Sequence, residues 1–222
     1  MQKNPSFADD GKSSPSIKAV ILDYGKVLVH SPSPEEFGRM SKVLDVDLGL
    51  FYGLWEDSRG AYDRSDFTAK EYWSNLAAQC NTSVDEKQID ILRKLEVEIW
   101  ANADPVMLDW LAQLYAAGIK TALLSNMPTD LMTHVLANFP WMQHFTFKTF
   151  SAEVRLIKPD PAIYEQTLDG LGVAAAEALF VDDRENNIQA ARALGMHAIQ
   201  FQSAGQLRRD LEKLEFPILP AG

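Results

Sequence analysis

Little in this sequence serves to cross-link the chain, to span a bilayer or to hold a polyanion. Only one cysteine, Cys80, occurs among 222 residues, so no internal disulfide can form. It reads as a small buried hydrophobe in a reducing compartment. No apolar run approaches the roughly 20 residues that cross a bilayer. Basic residues are outnumbered, 21 Lys and Arg against 31 Asp and Glu, for a net charge of −10. With no basic stripe, nucleic acid is not an expected partner. A small anion still is, because a local site can be positive inside a negative protein. Residues 1–16, MQKNPSFADDGKSSPS, lack the apolar core of a signal peptide and are expected to be a flexible tail. The chain is expected to work in the cytoplasm, away from membranes, as a monomer or homodimer.

What is present is an alternation of element types. AVIL, ending at Leu22, is a continuous apolar run of the kind a buried strand needs. Ser31 to Pro34 is a breaker segment. From Glu35 to about Ala103 the pattern is helical throughout. Within it, Thr68–Glu71 and Ser83–Glu86 each match the S/T-x-x-E capping box. Asp104-Pro105 then starts a helix that Gly118 closes. Strand-like runs at 119–125, 145–150, 178–183 and 197–201 alternate with helical segments at 128–138, from Asp160-Pro161, at 185–194 and after Ser203. Repeated βα units predict a parallel sheet covered by helices on both faces. The expected fold is thus α/β, with a catalytic core at 17–30 and 104–222 and an inserted helical subdomain at 31–103.

In such sheets ligands bind at the carboxyl ends of the strands. Asp23 ends the first strand, Ser125 and Asn126 the second, and Asp182 and Asp183 the fourth; Lys158 follows the third on a short connection. Any one of these alone is an ordinary turn former or helix cap. Together, in this order and with one lysine among carboxylates, they describe a site for an anion. A carboxylate can attack an activated phosphoryl group. Because phosphate repels carboxylates, a divalent cation and a lysine must neutralise the site. Mg²⁺ takes oxygen ligands, here Asp23, the Gly25 carbonyl, and Asp182 or Asp183. Lys158 would pair with Asp23 and phosphate. Ser125 and the backbone N–H groups after it would hold phosphoryl oxygens.

The segments VILDYGKVL, ALLSNMP, KPDPAIY and FVDDRENNIQAARALGM resemble the haloacid dehalogenase-like hydrolases, in family order. The resemblance implies a Rossmann-like core with a helical cap after the first motif. It also implies Asp23 as nucleophile, Ser125 on phosphate, Lys158 balancing charge, Asp182 and Asp183 on metal, and Asn186 supporting the site. Four positions depart from the pattern. The aspartate that usually follows the nucleophile by two, a general acid and base, is Gly25. Lys26 and Val27 stand where glycine and threonine are usual, and Arg155 where relatives usually have glycine. The glycine-bearing branch resembles glucose-1-phosphatase-like and epoxide-hydrolase N-domain-like members. A leaving group that departs easily needs less acid help, which points to a sugar 1-phosphate or similar activated ester.

In the helical block, Trp55, Tyr62, Tyr72 and Trp73 with Phe67 read mainly as core at helical spacing. Arg59, Asp63 and Arg64 lie near a break between helices; Arg64 is the candidate for substrate contact, with Lys26 a second. The expected activity is Mg²⁺-dependent hydrolysis of a small phosphorylated metabolite. Two alternatives stand beside it: a 2-haloacid dehalogenase, which needs no metal, and a phosphate-binding relative idle for want of an acid at Gly25.

Overall fold

The structure, a computed structural model, describes residues 16–221. Nearly all of the expected tail, residues 1–15, lies outside the described residues. Five strands, β1 (Ala19–Leu22), β2 (Lys120–Ser125), β3 (Phe147–Phe150), β4 (Ala178–Asp182) and β5 (His197–Gln200), form one sheet in the order β3-β2-β1-β4-β5. Every pairing is parallel. The chain builds outward from β1 on one side and then crosses to β4 on the other. The crevice between the ends of β1 and β4 is therefore a topological switch point, the usual ligand position in such sheets.

Side-chain alternation along the strands divides the core in two. Val20, Leu22, Leu123, Leu179 and Val181 pack against α5 (Pro105–Ala116), α6 (Thr129–Asn138) and α10 (Ala204–Lys213). Ala19, Ile21, Ala122, Leu124 and Phe180 pack on the opposite face against α8 (Pro161–Leu171) and α9 (Glu185–Ala193). With both faces covered, the central strands must be apolar at every position, which is why AVIL shows no polar alternation. A single turn of helix, α7 (Ser151–Val154), follows β3.

Between β1 and α5 stand four helices: α1 (Pro34–Leu44), α2 (Leu48–Asp63), α3 (Ala69–Gln79) and α4 (Glu86–Ile99). They enclose a core of their own, built on Phe37, Phe51, Trp55, Tyr72, Trp73 and Leu92. Tyr62 and Tyr72 stack at 4.2 Å between centroids. Phe67 is the exception among the expected core aromatics and is 39% exposed. Two strand-like contacts tie the block's entry and exit together: Val29 bridges Ala103, and His30 N–H donates to the Asn102 carbonyl at 2.8 Å. No helix among the described residues is long and apolar enough to cross a membrane.

The helix-start signals in the sequence match the structure with one exception. Thr68 and Glu71 form the expected capping box, and Asp104 accepts from the N–H groups of Val106 and Met107 at the start of α5. The Ser83–Glu86 box is not made. Helix α4 starts two residues later, with Asp85 as cap and Gln88 reaching back. An aspartate caps as well as a serine does, so the motif and its neighbour compete for one helix start. Ser33 caps α1 with Glu36, so part of the breaker segment is also a helix start. The two departures at usual glycine positions, Lys26 and Arg155, both hold left-handed backbone, with φ of 60° and 57°. That conformation is one glycine adopts at least cost, which explains the usual residue there. Asp85→Ala is expected to lower stability by about 1 kcal/mol, and Ser83→Ala to change it by less than about 0.5 kcal/mol. Urea denaturation of the two variants checks the cap assignment.

Candidate active site

Asp23 is the first residue beyond β1, and its N–H donates to the Val181 carbonyl at 3.0 Å, locking it beside β4. Its Oδ1 accepts from the Tyr24 N–H at 2.7 Å and meets Lys158 Nζ at 2.8 Å. Both bonds fall on one oxygen, so Oδ2 remains for the cavity that Asp23 lines. Asp182 ends β4 and is fully buried. Lys158 Nζ lies 2.7 Å from its Oδ2, and the Arg184 N–H donates to its Oδ1 at 2.8 Å. Lys158 spends its third proton on the Leu124 carbonyl at 2.8 Å. The ammonium is thus saturated and fixed between two carboxylates.

The backbone of Lys158 is held as firmly. Asn126 donates through Nδ2 to the Lys158 carbonyl at 3.0 Å and accepts the Lys158 N–H on Oδ1 at 2.9 Å. Its side chain is thus spent on positioning the lysine. The next N–H, of Met127, is also spent, on Ser151 Oγ at 2.9 Å. Ser125 sits at the tip of β2, lines the cavity, and has no protein hydrogen bond on its hydroxyl among the described residues.

Asn187, not Asn186, braces the site: its Nδ2 donates to both oxygens of Asp182 at 3.0 Å. Asn186 is exposed and accepts the Asn187 N–H. One residue along a helix is a rotation of about 100°, which spacing alone does not phase.

Charge is unbalanced here. Asp23, Asp182 and Asp183 each offer an oxygen within 4.8 Å of the others, which fits them to hold a cation. Burial pushes the Asp23 carboxyl up to about 7; Lys158 opposes the rise, and Asp182 and Asp183 add to it. Burial also raises Asp183, against Lys26, whose Nζ lies 3.5 Å away. For Lys158, burial works against the ammonium, but Asp182 and Asp23 outweigh it and hold the group above its ordinary value. Asp182 already accepts four contacts, whereas Asp183 keeps more open surface. Asp183 is therefore the better placed of the two for direct ligation.

The cavity has a volume of about 560 Å³ and lies between the strand tips and helices α1 and α2. Lys26 and Asn186 line it; Arg64 does not, and pairs with Asp66 on the surface. Arg59, one turn earlier, takes the inward position. It pairs with Asp63 at 2.7 Å and with Glu96, and lies 4.9 Å above the Trp55 ring. Residues missed from the sequence include Trp100, which lines the cavity beside Gly25, and Glu56 and Arg184, which pair at its edge.

A family model of the haloacid dehalogenase-like hydrolases matches residues 14–195. The chain belongs to that family. Among curated relatives, bifunctional epoxide hydrolase 2 of Rattus norvegicus is 32% identical over 123 residues, 51% of this chain and 22% of that protein. The chain thus spans about a fifth of the length of the first relatives it matches. Phosphatase MT3486 of Mycobacterium tuberculosis is 26% identical over 90% of this chain and 95% of that protein. A Bacteroides thetaiotaomicron family enzyme, solved with magnesium and inorganic phosphate, shares the fold at a TM-score of 0.65, with 22% identity over 84% of this chain and 94% of that one. L-2-haloacid dehalogenase from Xanthobacter autotrophicus shares it too, at 0.66, with 21% identity over 92% of this chain and 85% of that one.

The raised Asp23 carboxyl sets a stability trend. In cation-free buffer the native state retains a proton on Asp23 that the unfolded chain releases near 3.8. Unfolding free energy is therefore expected to fall as pH rises from about 4 to about 7. Asp23→Asn should flatten that slope and be the more stable protein at about pH 8. Urea denaturation across this range checks it; a difference between the proteins that does not change with pH contradicts the assignment.

Proposed function

We propose that the chain is a magnesium-dependent phosphatase that moves the phosphoryl group of a small phosphate ester first to Asp23 and then to water. The observation that carries this reading is the buried Lys158 ammonium shared by Asp23 and Asp182 beside a third carboxylate, at the sheet's switch point. Such a group of charges is complete only with a cation and an anion bound. The likeness to a named phosphatase over nearly its full length supports the reading, as does a family enzyme solved with magnesium and phosphate.

In this mechanism Asp23 Oδ2 attacks phosphorus, in line with the departing ester oxygen. Lys158 holds the other Asp23 oxygen and fixes the angle of attack. The Ser125 hydroxyl and the Asn126 N–H bind equatorial phosphoryl oxygens. Asn187 and the Arg184 N–H keep Asp182 facing Lys158. Asp23, the Gly25 carbonyl and Asp183, with Asp182 behind, would hold Mg²⁺, which when bound neutralises phosphoryl charge. Lys26 and Asn186 are the further contacts proposed at the cavity wall. Residues 31–103 act as a cap over a core formed by 17–30 and 104–222.

The dehalogenase alternative shares the nucleophile and the fold. Against it, three carboxylates beside one lysine would repel a haloacid anion if no cation were bound. Release of p-nitrophenol from p-nitrophenyl phosphate is expected to require Mg²⁺, to stop with a chelator, and to fall by at least ~10³-fold in Asp23→Asn. Equal turnover by the two proteins would remove Asp23 from the chemistry. Metal-free halide release from 2-chloropropionate would decide for dehalogenation.

A further inference from the structure

The cavity has an uneven chemistry that bears on the leaving group. At Gly25, two residues past the nucleophile, an added Cβ would stand 3.2 Å from Trp100 Cζ3. The space a side chain would use here is filled by an indole ring. Trp100 is held there: Tyr24 Oη donates to its carbonyl at 2.6 Å, and it packs against both the sheet core and the helical core. An indole cannot protonate a leaving alkoxide.

Each cationic group lining the cavity already has a carboxylate partner. Lys158 is saturated, Lys26 faces Asp183, Arg184 holds Glu56, and Arg59 binds Asp63. Opposite the strand tips the wall is aromatic. Phe37 meets Tyr52 and Trp55 edge-on at 5.1 and 5.0 Å between centroids, and Leu48 adds to the same wall.

We infer that the substrate is the phosphate monoester of a phenol-like or enol-like hydroxyl on a planar, largely apolar group, with Trp100 as the specificity-determining residue. This rests on the phosphatase reading above and narrows it away from polyol phosphates such as sugar phosphates. As Asp23 bonds to phosphorus, the ester P–O bond breaks and its electron pair stays on the leaving oxygen. That oxygen departs as a resonance-stabilised anion and takes its proton from bulk water. Water then attacks the phosphorus of the aspartyl phosphate, its proton passing to solvent, and releases phosphate with Asp23 restored. The first step needs no acid from the protein. The ring of the leaving group lies against Trp100 and the Phe37–Tyr52–Trp55 wall.

The test is kcat/KM with Mg²⁺ for p-nitrophenyl, phenyl, 2-naphthyl and n-propyl phosphates. The propyl ester is expected to fall below the aryl esters by ~10²–10⁴-fold, the usual contribution of a general acid. A propyl rate within about tenfold of the phenyl rate overturns the inference. Trp100→Leu should raise KM for 2-naphthyl phosphate about tenfold while leaving inhibition by inorganic phosphate unchanged. If both constants move together, Trp100 is only structural and its assignment fails. The double variant Gly25→Asp with Trp100→Ala, which opens space for a carboxyl, should raise the propyl-to-phenyl ratio; a folded, active double variant with an unchanged ratio counts against it. If no ester releases phosphate in a Mg²⁺-dependent way, the phosphatase reading falls and takes this inference with it. Phosphate release with a flat leaving-group series removes the inference alone.

Discussion

A buried ammonium shared by two carboxylates holds this site together. Lys158 Nζ reaches Asp23, Asp182 and the Leu124 carbonyl at 2.7–2.8 Å, with 1% of its side chain exposed. Removing such a charge from water costs several kcal/mol, recovered only when geometry is good and every donor is used. Here each donor is used, and three strands must be in place for that to happen. Asp23 comes from β1, Leu124 from β2 and Asp182 from β4, so the ion pairs and the strand order depend on one another. Asn126 clamps the lysine's backbone, and Asn187 clamps the far carboxylate.

That arrangement leaves negative charge over, which gives the site its direction. Asp23 turns one oxygen to Lys158 and the other to the cavity, and Asp183 stands beside Lys26 at the edge. The sheet supplies the charged floor, and the helical block supplies the walls. The block's buried Arg59 joins Asp63 and Glu96 across α2 and α4 beneath aromatic rings. Arg93 reaches from α4 to Asp130 on α6 with two bonds, at 2.6 and 2.9 Å, and so ties block to core.

Much of this was readable from the chain because strand ends announce themselves. AVIL, TALL and ALFV are apolar runs that each stop at a polar residue, and parallel strands bring such stops to one edge. Asp23, Ser125, Asp182 and Asp183 followed from that rule, and Lys158 from its short link to β3. Helical phase was harder. Arg59 and Arg64 share α2 and its cap, and only packing decides which one faces inward; the same holds for Asn186 and Asn187. Trp100 gave no local sign. It lies 75 residues beyond Gly25 in the chain and reaches it only because the helical block returns to the hinge. The clamp formed by the Asn126 side chain gave no local sign either, because its partner, the Lys158 backbone, lies 32 residues away.

Calorimetric titration of Mg²⁺ tests most directly whether the Asp23 carboxylate faces a cation seat at the strand tips. With Asp23 held at about 7 in the cation-free protein, Mg²⁺ binding near neutral pH must displace part of a proton. Titrations in two buffers of different ionisation enthalpy measure that proton. Mg²⁺ uptake with fractional proton release, lost in Asp23→Asn, is the predicted result. No uptake, or uptake with the same proton release in both proteins, contradicts the account.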